Sequence, residues 1–426
     1  MAADFINLDH NATTPPFSEV VRLVAEVMAE GGNPSAVHRL GRQASGRLET
    51  ARRQVAGLCG ARARDVTFFG SATEAQATLI HHFKDRYFLR PDTEHDAVLA
   101  ARVSQTERAR QTARAPQSQT ARASLQSSLQ DPLIVRGKAE GDDGGGQEQG
   151  QEQKEDHGQQ DGHGPGVSLA LRNDGHVDLE RLAEHLHKTA QPILLAIMAA
   201  NNETGLMSDL TGIAEVVAQA RSRGAEVHYH VDAVQAPGKM AIDFGAWGCD
   251  SLALSAHKMG GPQGVGGLIT RPGFDLTPLI RGGGQERRRR AGTENVAGIA
   301  GFGLACEMVQ DLGRLTALRS DLEQGLKAQN PEAIIVGEQR LRLPNTSCVL
   351  TPGKSAETLL MHFDLAGIGL SSGSACSSGK VGSSHVLTAM GIGQGLARSA
   401  LRFSLGRDTT AAHIDRAIEV YGAACR

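Results

Sequence analysis

The stretch DSLALSAHKMGGP, residues 250–262, runs an apolar segment directly into Lys258 and then into glycines and a proline. Short apolar runs that end in glycine or proline are typical of buried strands in a parallel sheet, and such sheets bind ligands outside their carboxyl edge. Lys258 is therefore predicted to point into a cleft. Poor solvation there would let its amine lose a proton and form a Schiff base with a carbonyl cofactor. A surface lysine that follows a strand is the alternative.

A second strand pattern lies upstream, in EVHYHVDAVQ at 226–235, and it delivers the acid Asp232. Successive strands of one parallel sheet would bring Asp232 and Lys258 to the same edge. A carboxylate that keeps a pyridinium nitrogen protonated makes pyridoxal phosphate an electron sink once a lysine has bound its aldehyde. The pair therefore favours pyridoxal phosphate as the cofactor, although Asp232 alone is more typical of a turn or cap.

Composition places the chain among ordinary globular proteins. It has 426 residues, of which 40% are hydrophobic, enough for one large and one smaller domain. The formal net charge of -3 argues against nucleic acid as a partner, because nucleic-acid binding needs a clustered basic face. The amino terminus lacks a signal-peptide pattern, and no run of about 18 apolar residues occurs. We therefore expect a cytoplasmic protein that does not interact with a membrane.

The six cysteines are scattered without any C-x-x-C spacing. This arrangement fits neither a disulfide framework nor a zinc site, so reduced thiols and no metal are expected. Four of them are predicted to be buried as small hydrophobic residues, namely Cys59, Cys249, Cys306 and Cys348.

The lysine and the acid belong to a wider set of motifs that extends along the whole chain. Together these motifs resemble those of cysteine desulfurases of the NifS/IscS type, within the class V aminotransferase-like enzymes. They occur in the family's order and leave out only the segment from about 101 to 166. The motifs are LDHNATTP (8–15), GNPS (32–35), SATE (71–74), TEH (93–95), NNETG (201–205), HVDAVQ (230–235), SAHK (255–258), RAGTEN (290–295), SSGSAC (371–376) and RFSLGR (402–407).

The resemblance implies the type I fold of pyridoxal phosphate enzymes, an α/β architecture with a mostly parallel seven-stranded sheet. Residues 17–310 would form the large domain, and residues 1–16 with 311–426 a smaller α/β domain. The implied enzyme is a homodimer that converts L-cysteine to L-alanine and passes sulfur to an acceptor, such as an iron-sulfur scaffold protein. A selenocysteine lyase or another class V aminotransferase would share Lys258 and Asp232, and a pseudoenzyme acting as an interaction module is a third alternative.

A phosphate site is predicted at the start of a helix. SATE at 71–74 has the S-x-x-E capping-box pattern. Helix amino termini hold phosphate through unpaired N–H groups and the positive end of the dipole, so Ala72 and Thr73 are candidates for binding the cofactor phosphate. The family usually has a glycine directly before Ala-Thr-Glu, whereas Ser71 stands there in this chain after Gly70. Serine lacks the freedom of glycine at positive φ, which leaves the conformation of this loop open.

The resemblance assigns further residues around the cofactor and the substrate. His95 would stack on the pyridine ring, Asn202 would lie beside the ring oxygen and the substrate, and Gln235 would hydrogen-bond the ring oxygen. Thr293 would contact the cofactor phosphate of the partner subunit, so that each site needs two chains. Arg402 would clamp the substrate carboxylate through its planar fork, with an ordinary ion pair as the alternative. The resemblance also adds Ser255 and His257 to the cofactor-binding residues and Asn33 to the substrate-binding residues.

Cys376 lies in SSGSACSSGK at 371–380, a run of small residues that buries little and is expected to be mobile. A sulfur carrier must reach the substrate at the cofactor and then present its persulfide to an acceptor. A cysteine fixed in a core would not do both. Cys376 is therefore the predicted sulfur nucleophile.

The segment from about 101 to 166 differs in composition from the rest of the chain. Gln, Arg, Ser, Gly and Glu dominate it, and only Leu133, Ile134 and Val135 offer an apolar patch. Such a segment cannot bury enough apolar surface to offset its conformational entropy. We predict a disordered insertion at the surface of the large domain.

Overall fold

The computed structural model describes residues 5–101, 167–172, 174–372 and 383–426. The strands are β1 Ile6–Asn7, β2 Val66–Phe69, β3 Tyr87–Pro91, β4 Val167–Leu169, β5 Ile193–Met198, β6 Val227–Asp232, β7 Ser251–Ser255, β8 Gly266–Thr270, β9 Ile334–Ile335, β10 Thr346–Leu350, β11 Ile368–Gly369, β12 Ser371–Ser372 and β13 Leu401–Ser404. The α-helices with both ends described are α1 Ser18–Glu30, α2 Arg39–Leu58, α3 Ala72–His82, α4 Leu179–Lys188, α5 Leu210–Ser222, α6 Val296–Met308, α7 Leu315–Gln329, α8 Ala356–Leu365, α9 His385–Ala389, α10 Gln394–Ala397 and α11 Ala411–Cys425.

Seven strands form one sheet in the order β2-β8-β7-β6-β5-β3-β4. The strands from β7 to β4 run parallel to one another, whereas β8 is antiparallel to both β2 and β7. The prediction of a mostly parallel seven-stranded sheet is thereby confirmed. β6 and β7 are direct neighbours, with His230 opposite Ser251. The two strands that carry the predicted acid and lysine therefore end at the same edge.

Both faces of this sheet are covered, which explains why its strands read as continuous apolar runs. In β5, Leu195 and Ile197 pack into the larger core cluster, while Leu194 and Ala196 pack on the opposite face. Helix α6 packs against both α1 and α2. Helix α2 buries one face, which includes Ala44, Leu48 and Val55.

A second sheet, in the order β12-β13-β10-β9, is antiparallel and lies in the carboxy-terminal part of the chain. The amino-terminal strand β1 pairs with β11 in parallel, with Ile6 opposite Ile368, and Asp9 bridges to Ser404. These contacts associate the first residues with the last third of the chain. The boundaries given for the two domains stay a prediction.

None of the helices in the described ranges is long and apolar enough to cross a membrane. Cys59, Cys249, Cys306 and Cys348 are buried, as expected, and burial raises the pKa of each thiol. The predicted disordered insertion lies outside the described residues except for Ala101, and so does Cys376.

Candidate active site

A cavity of about 320 Å³ opens where β5, β6 and β7 end at the carboxyl edge of the sheet. This is the edge at which parallel sheets bind their ligands. Most of the predicted site residues line this one cavity, although they come from distant parts of the chain. They are Ala72, Thr73, His95, Asn202, Asp232, Gln235, Ser255, His257, Lys258 and Arg402.

Lys258 follows β7 in a single 3-10 turn, Ala256–Lys258, which lifts its side chain from the sheet edge to the cavity wall. Its Nζ donates to the backbone oxygen of Asn11 at 2.6 Å and to that of Ala12 at 2.8 Å. The amino-terminal segment thus positions the amine. A primary amine held by carbonyl oxygens at a cavity is well placed to bind an aldehyde covalently.

Asp232, at the end of β6, is buried and held from two sides. Its Oδ1 accepts a hydrogen bond from the backbone N–H of Val234 at 2.9 Å, and its Oδ2 accepts one from Nε2 of Gln76 at 2.5 Å. Glu94 is completely buried, and its burial together with the charge of Asp232 raises the pKa of Glu94 well above its usual range. Burial thus favours the neutral form of the Glu94 carboxyl beside Asp232.

The amino terminus of α3 forms another wall of the cavity through Ala72 and Thr73. The Ser71 side chain accepts a hydrogen bond from the backbone N–H of Glu74 at 3.0 Å, so the predicted cap is present. Ser71 has a φ of −168°, an extended conformation that any residue adopts. The Gly70-Ser71 order therefore requires no glycine at position 71, and the backbone of the phosphate loop is not strained by it.

Two tertiary contacts hold this helix terminus in place. Arg290 donates to both carboxylate oxygens of Glu74, at 2.8 and 3.3 Å, and Glu74 in turn accepts from the N–H of Gly70. Gly266 in β8 lies directly beneath the helix start, because a Cβ there would lie 2.4 Å from the backbone nitrogen of Ala72. Strand β8 thus approaches the amino terminus of α3 closely, and this contact positions the helix terminus at the cavity.

Arg402 extends from β13 of the second sheet to the cavity and is almost completely buried. It donates to Oδ1 of Asp9 at 2.6 Å and to the backbone oxygen of Asn202 at 3.2 Å. Its Nε has no hydrogen-bond partner among the described residues. Arg402 does form the ion pair that was the alternative to substrate binding, but its guanidinium also has donors that these contacts do not use.

Each of the two histidines at the cavity is held by a contact at its Nδ1. Nδ1 of His95 accepts from the backbone N–H of Ala97 at 3.1 Å, and Nδ1 of His257 lies 3.2 Å from the Thr13 hydroxyl. Burial and the charge of Lys258 lower the pKa of His257 to about 4. His257 is therefore neutral at pH 7 and places no additional cation beside Lys258.

Asn33 and Thr293 are exposed and are not among the described residues that line the cavity. Their roles stay predictions, and that of Thr293 concerns a second subunit in any case. Cys376 lies outside the described residues, so its role likewise stays a prediction.

Sequence reasoning missed four polar residues that build or support the site. Asn11, Glu94 and Gln76 lie within or next to the quoted motifs, yet no role was predicted for them. Lys239 follows Gln235 by one helical turn of sequence and is buried behind the cavity. The sequence signal for Lys239 is a lysine that interrupts an otherwise apolar stretch.

The residues present fit pyridoxal phosphate. Lys258 suits its aldehyde, Asp232 its ring nitrogen, and the amino terminus of α3 its phosphate. Oε1 of Gln76 is buried and has no partner among the described residues, which leaves polar capacity at the cavity for a bound group.

The fold and the cavity define a pyridoxal phosphate enzyme, and comparison with known proteins gives its family. The family model described as aminotransferase class V matches residues 6–128 and 163–417. The chain therefore belongs to the class V aminotransferase family. The members of this family are pyridoxal phosphate enzymes, which confirms the predicted cofactor and fold type.

Within this family the chain is similar to cysteine desulfurases. It is 37% identical to the cysteine desulfurase of Cereibacter sphaeroides, over 97% of this chain and 94% of the relative. It is 34% identical to the cysteine desulfurase NifS of Azotobacter vinelandii, over 97% and 90% respectively. The solved NifS-like protein of Rickettsia africae ESF-5 matches with a TM-score of 0.77 and 31% identity, over 99% of both chains. The predicted resemblance to the NifS/IscS type is confirmed.

Proposed function

We propose that this protein is a homodimeric cysteine desulfurase that converts L-cysteine to L-alanine. Sulfur passes to Cys376 as a persulfide and then to an acceptor, such as an iron-sulfur scaffold protein. The observation that carries the proposal is the convergence of Lys258, Asp232 and Arg402 on one cavity. The similarity to relatives named cysteine desulfurase supports the choice of this reaction over transamination.

Each residue has a chemical task in this proposal. Lys258 binds the cofactor aldehyde and carries a proton between substrate carbons, and Asp232 keeps the ring nitrogen protonated. Bound pyridoxal phosphate supplies the electron sink for the bond changes at the substrate. Arg402 binds the substrate carboxylate with the donors that its contacts to Asp9 and Asn202 leave unused.

The remaining predicted residues orient the reacting groups. His95 stacks on the ring, Gln235 and Asn202 bind the ring oxygen, and Ala72 with Thr73 holds the phosphate. Ser255 and His257 line the phosphate side next to α3, and Asn33 takes part in substrate binding. These assignments combine the family resemblance with the position of most of these residues at the cavity.

The sulfur step balances without an external oxidant. The substrate carbon–sulfur bond breaks while a sulfur–sulfur bond forms to Sγ of Cys376, and the electron pair of the broken bond stays on the substrate β-carbon. Of the two thiol protons, one ends on that carbon and the other stays on the persulfide. The products are L-alanine and a protein persulfide. A thiol reductant then releases sulfide and regenerates the Cys376 thiol.

The described residues that precede Cys376 lie beside Arg402. Ser371 pairs with Arg402 in the second sheet, and its hydroxyl donates to Oδ2 of Asp9 at 2.7 Å. Cys376 comes four residues after Ser372, and four residues span at most about 14 Å. The segment that carries the nucleophile therefore starts beside the proposed carboxylate site.

Two features support the homodimer. An open depression beside the cavity is lined by Thr13, Ser71 and Gln263, on the side where the cofactor phosphate is proposed. The loop that carries Thr293 is exposed in a single chain, and the preceding Leu279 and Ile280 are 42% exposed each. A partner subunit that inserts Thr293 into such a depression would complete the phosphate site and cover these apolar side chains.

We also propose a cytoplasmic location. The described cysteines, Cys59, Cys249, Cys306, Cys348 and Cys425, are free thiols. Reduced thiols are what a reducing compartment maintains.

The test is an assay of the purified protein with L-cysteine and a dithiol reductant, measuring alanine and sulfide together without any keto acid. Equal amounts of both products are expected. Cys376→Ser should retain bound cofactor but make almost no alanine from L-cysteine, and Lys258→Ala should lose covalent cofactor binding as well as turnover. Alanine formation that depends on an added keto acid would instead indicate an aminotransferase. A Cys376→Ser variant that still turns over L-selenocysteine at the wild-type rate would indicate a lyase.

A further inference from the structure

Lys239 is a buried lysine with no carboxylate partner in the described part of the chain. It is 8% exposed, and no ion pair formed by the described residues includes it. Its Nζ donates to Oε1 of Gln235 at 2.6 Å and to Oδ1 of Asn11 at 3.1 Å. A buried ammonium costs several kcal/mol of solvation unless it is well hydrogen-bonded, so a lysine retained at this position needs a reason.

The chemistry of the lysine head group determines how the Gln235 amide is oriented. An ammonium only donates hydrogen bonds, whereas a side-chain amide has one accepting end and one donating end. Gln235 must therefore turn its oxygen toward Lys239 and its NH₂ group away from it. In the structure that NH₂ group donates to the backbone oxygen of Asn11 at 3.1 Å, and Gln235 lines the cavity.

Asn11 is oriented by the same lysine. Its Oδ1 accepts from Lys239 and from Nδ2 of Asn345, and its own Nδ2 consequently donates to Thr346 Oγ1 at 2.9 Å and to the Asn202 backbone. The backbone oxygen of Asn11 in turn accepts from Lys258. Lys239 thus lies behind Gln235 and Asn11, which line the cavity, and does not line the cavity itself.

We propose that Lys239 is a positioning residue of the cofactor site, which fixes the Gln235 amide with its NH₂ group available to an acceptor on the ring and holds the Asn11 segment against Lys258. The inference rests on the proposed function, because it takes this cavity to be the pyridoxal phosphate site.

The state of Lys239 agrees with this role. Burial, with smaller contributions from the charges of Lys258 and Arg402, lowers the pKa of Lys239 to about 7. Protonated and neutral forms therefore coexist near neutral pH. Only the protonated form lacks an acceptor and so enforces both amide orientations, while the neutral amine still has two N–H donors, as many as Gln235 and Asn11 require.

The test compares variants that remove the donors with variants that keep them. Lys239→Met has a similar length and no donor, so Gln235 would be free to turn its amide. Lys239→Arg has only donors, and a small cavity of about 40 Å³ beside Lys239 leaves room for a larger head group. Lys354→Met is the matched control, because Lys354 is partly buried, donates to the backbone of Ala424 and does not line the active-site cavity.

The readouts are the dissociation constant of pyridoxal phosphate from the apo protein and the visible absorbance of the bound cofactor. Lys239→Met should weaken cofactor binding by about tenfold, the amount one hydrogen bond contributes, and should alter the visible spectrum. Lys239→Arg should restore a large part of both, and Lys354→Met should leave both as in the wild type. If Lys239→Met does not fold, Lys239→Leu, which also lacks a donor, takes its place with the same expected direction.

A double-mutant cycle tests whether Lys239 acts through Gln235. The double variant Lys239→Met/Gln235→Met should lose less affinity for the cofactor than the sum of the two single losses, because without Gln235 only the contact of Lys239 with Asn11 is left to lose. Additive losses, or wild-type affinity and spectrum in Lys239→Met, would overturn the inference. A wild-type protein that binds the cofactor but makes no alanine from L-cysteine would overturn the proposed function. The cofactor affinities and spectra of the Lys239 variants would still test the role of Lys239.

Discussion

Arg52 and Arg402 are both almost completely buried, yet they use their guanidinium groups differently. Arg52 makes two donations to Glu286, at 2.8 and 2.9 Å, and further ones to Glu49 and the Val66 backbone. Arg402 makes one donation to Asp9 and one to a backbone oxygen, and its Nε has no partner among the described residues. Only Arg402 lines the cavity.

The difference distinguishes an arginine that holds the fold from one available to a ligand. Glu286 opens a turn in which Glu286, Arg287 and Arg288 all have positive φ, a backbone state that costs about 1–3 kcal/mol for each such residue. Arg52 and the N–H of Phe68 both bind the Glu286 carboxylate and stabilise that turn. The run of four arginines at 287–290 is thus anchored at its start by the buried Arg52–Glu286 ion pair.

The largest expected effect is on stability and comes from Arg52→Met. Removing one partner leaves the Glu286 carboxylate buried and unpaired, which should lower the free energy of unfolding by about 3–5 kcal/mol. Denaturant unfolding of the apo protein measures this. Arg53→Met, at the exposed neighbouring position, is the control and should change stability little. An Arg52→Met protein as stable as the wild type would remove the distinction between the two arginines.

Arg402→Gln should instead affect catalysis. Loss of the charged fork removes charge-assisted hydrogen bonds to the substrate carboxylate, so kcat/KM for L-cysteine should fall by about a hundredfold, mostly through KM. Its effect on unfolding should be smaller than that of Arg52→Met, because Asp9 is partly exposed. Steady-state kinetics are compared with Arg398→Gln, an exposed arginine outside the cavity. An unchanged KM would mean that Arg402 is only a structural ion-pair partner.

Two buried histidines also have nitrogens without a partner among the described residues, but these histidines do not line the active-site cavity. His228 and His230 both contact the hydroxyl of Ser251, each has one nitrogen without a partner among the described residues, and neither lines the active-site cavity. Burial lowers the pKa of His230 to about 3 and lowers that of His228 as well. Unpaired polar atoms alone therefore do not identify a binding group.

These histidines should make the fold acid-sensitive. Between pH 6.5 and about 3 the unfolded chain binds a proton at His230 that the folded chain does not, so stability decreases as the pH falls. At pH 5 the loss from His230 is about 2 kcal/mol relative to pH 7.5. Denaturant unfolding at both pH values measures it, and His230→Leu should show a smaller loss. Equal pH dependence in the variant would show that His230 is not the responsible group.

The smallest expected effect is that of Asp9→Asn, which keeps the shape of the contact to Arg402 but removes its charge. With its ion partner neutral, Arg402 should be less firmly held, and kcat/KM should fall by about tenfold or less. Asp408→Asn, an exposed carboxylate paired with Arg407, is the kinetic control. A loss greater than that of Arg402→Gln would mean that Asp9, rather than Arg402, determines substrate binding.

Much of the fold and the chemical core of the site followed from local sequence patterns. The sequences of β6 and β7 predict buried strands, because residues that face helices on both sides of a sheet must be apolar. Each of the two strands ends with a polar residue at the edge of the sheet. The cap of α3 was also predictable, since Ser71 and Glu74 are three residues apart. Asp232, Lys258 and the phosphate site were accessible from sequence because strand ends and helix starts are local features.

Tertiary structure decided the contacts that hold these groups in place. Asn11 meets Lys258 across 247 residues of sequence, and Arg402 meets Asp9 across 393. The orienting role of Lys239 likewise depends on which end of an amide faces it. No local pattern encodes such pairings, because the sequence periodicity of a strand or helix determines which face is buried but not which distant polar atom meets it there. Completing the hydrogen bonds of buried polar groups is a property of the folded chain as a whole.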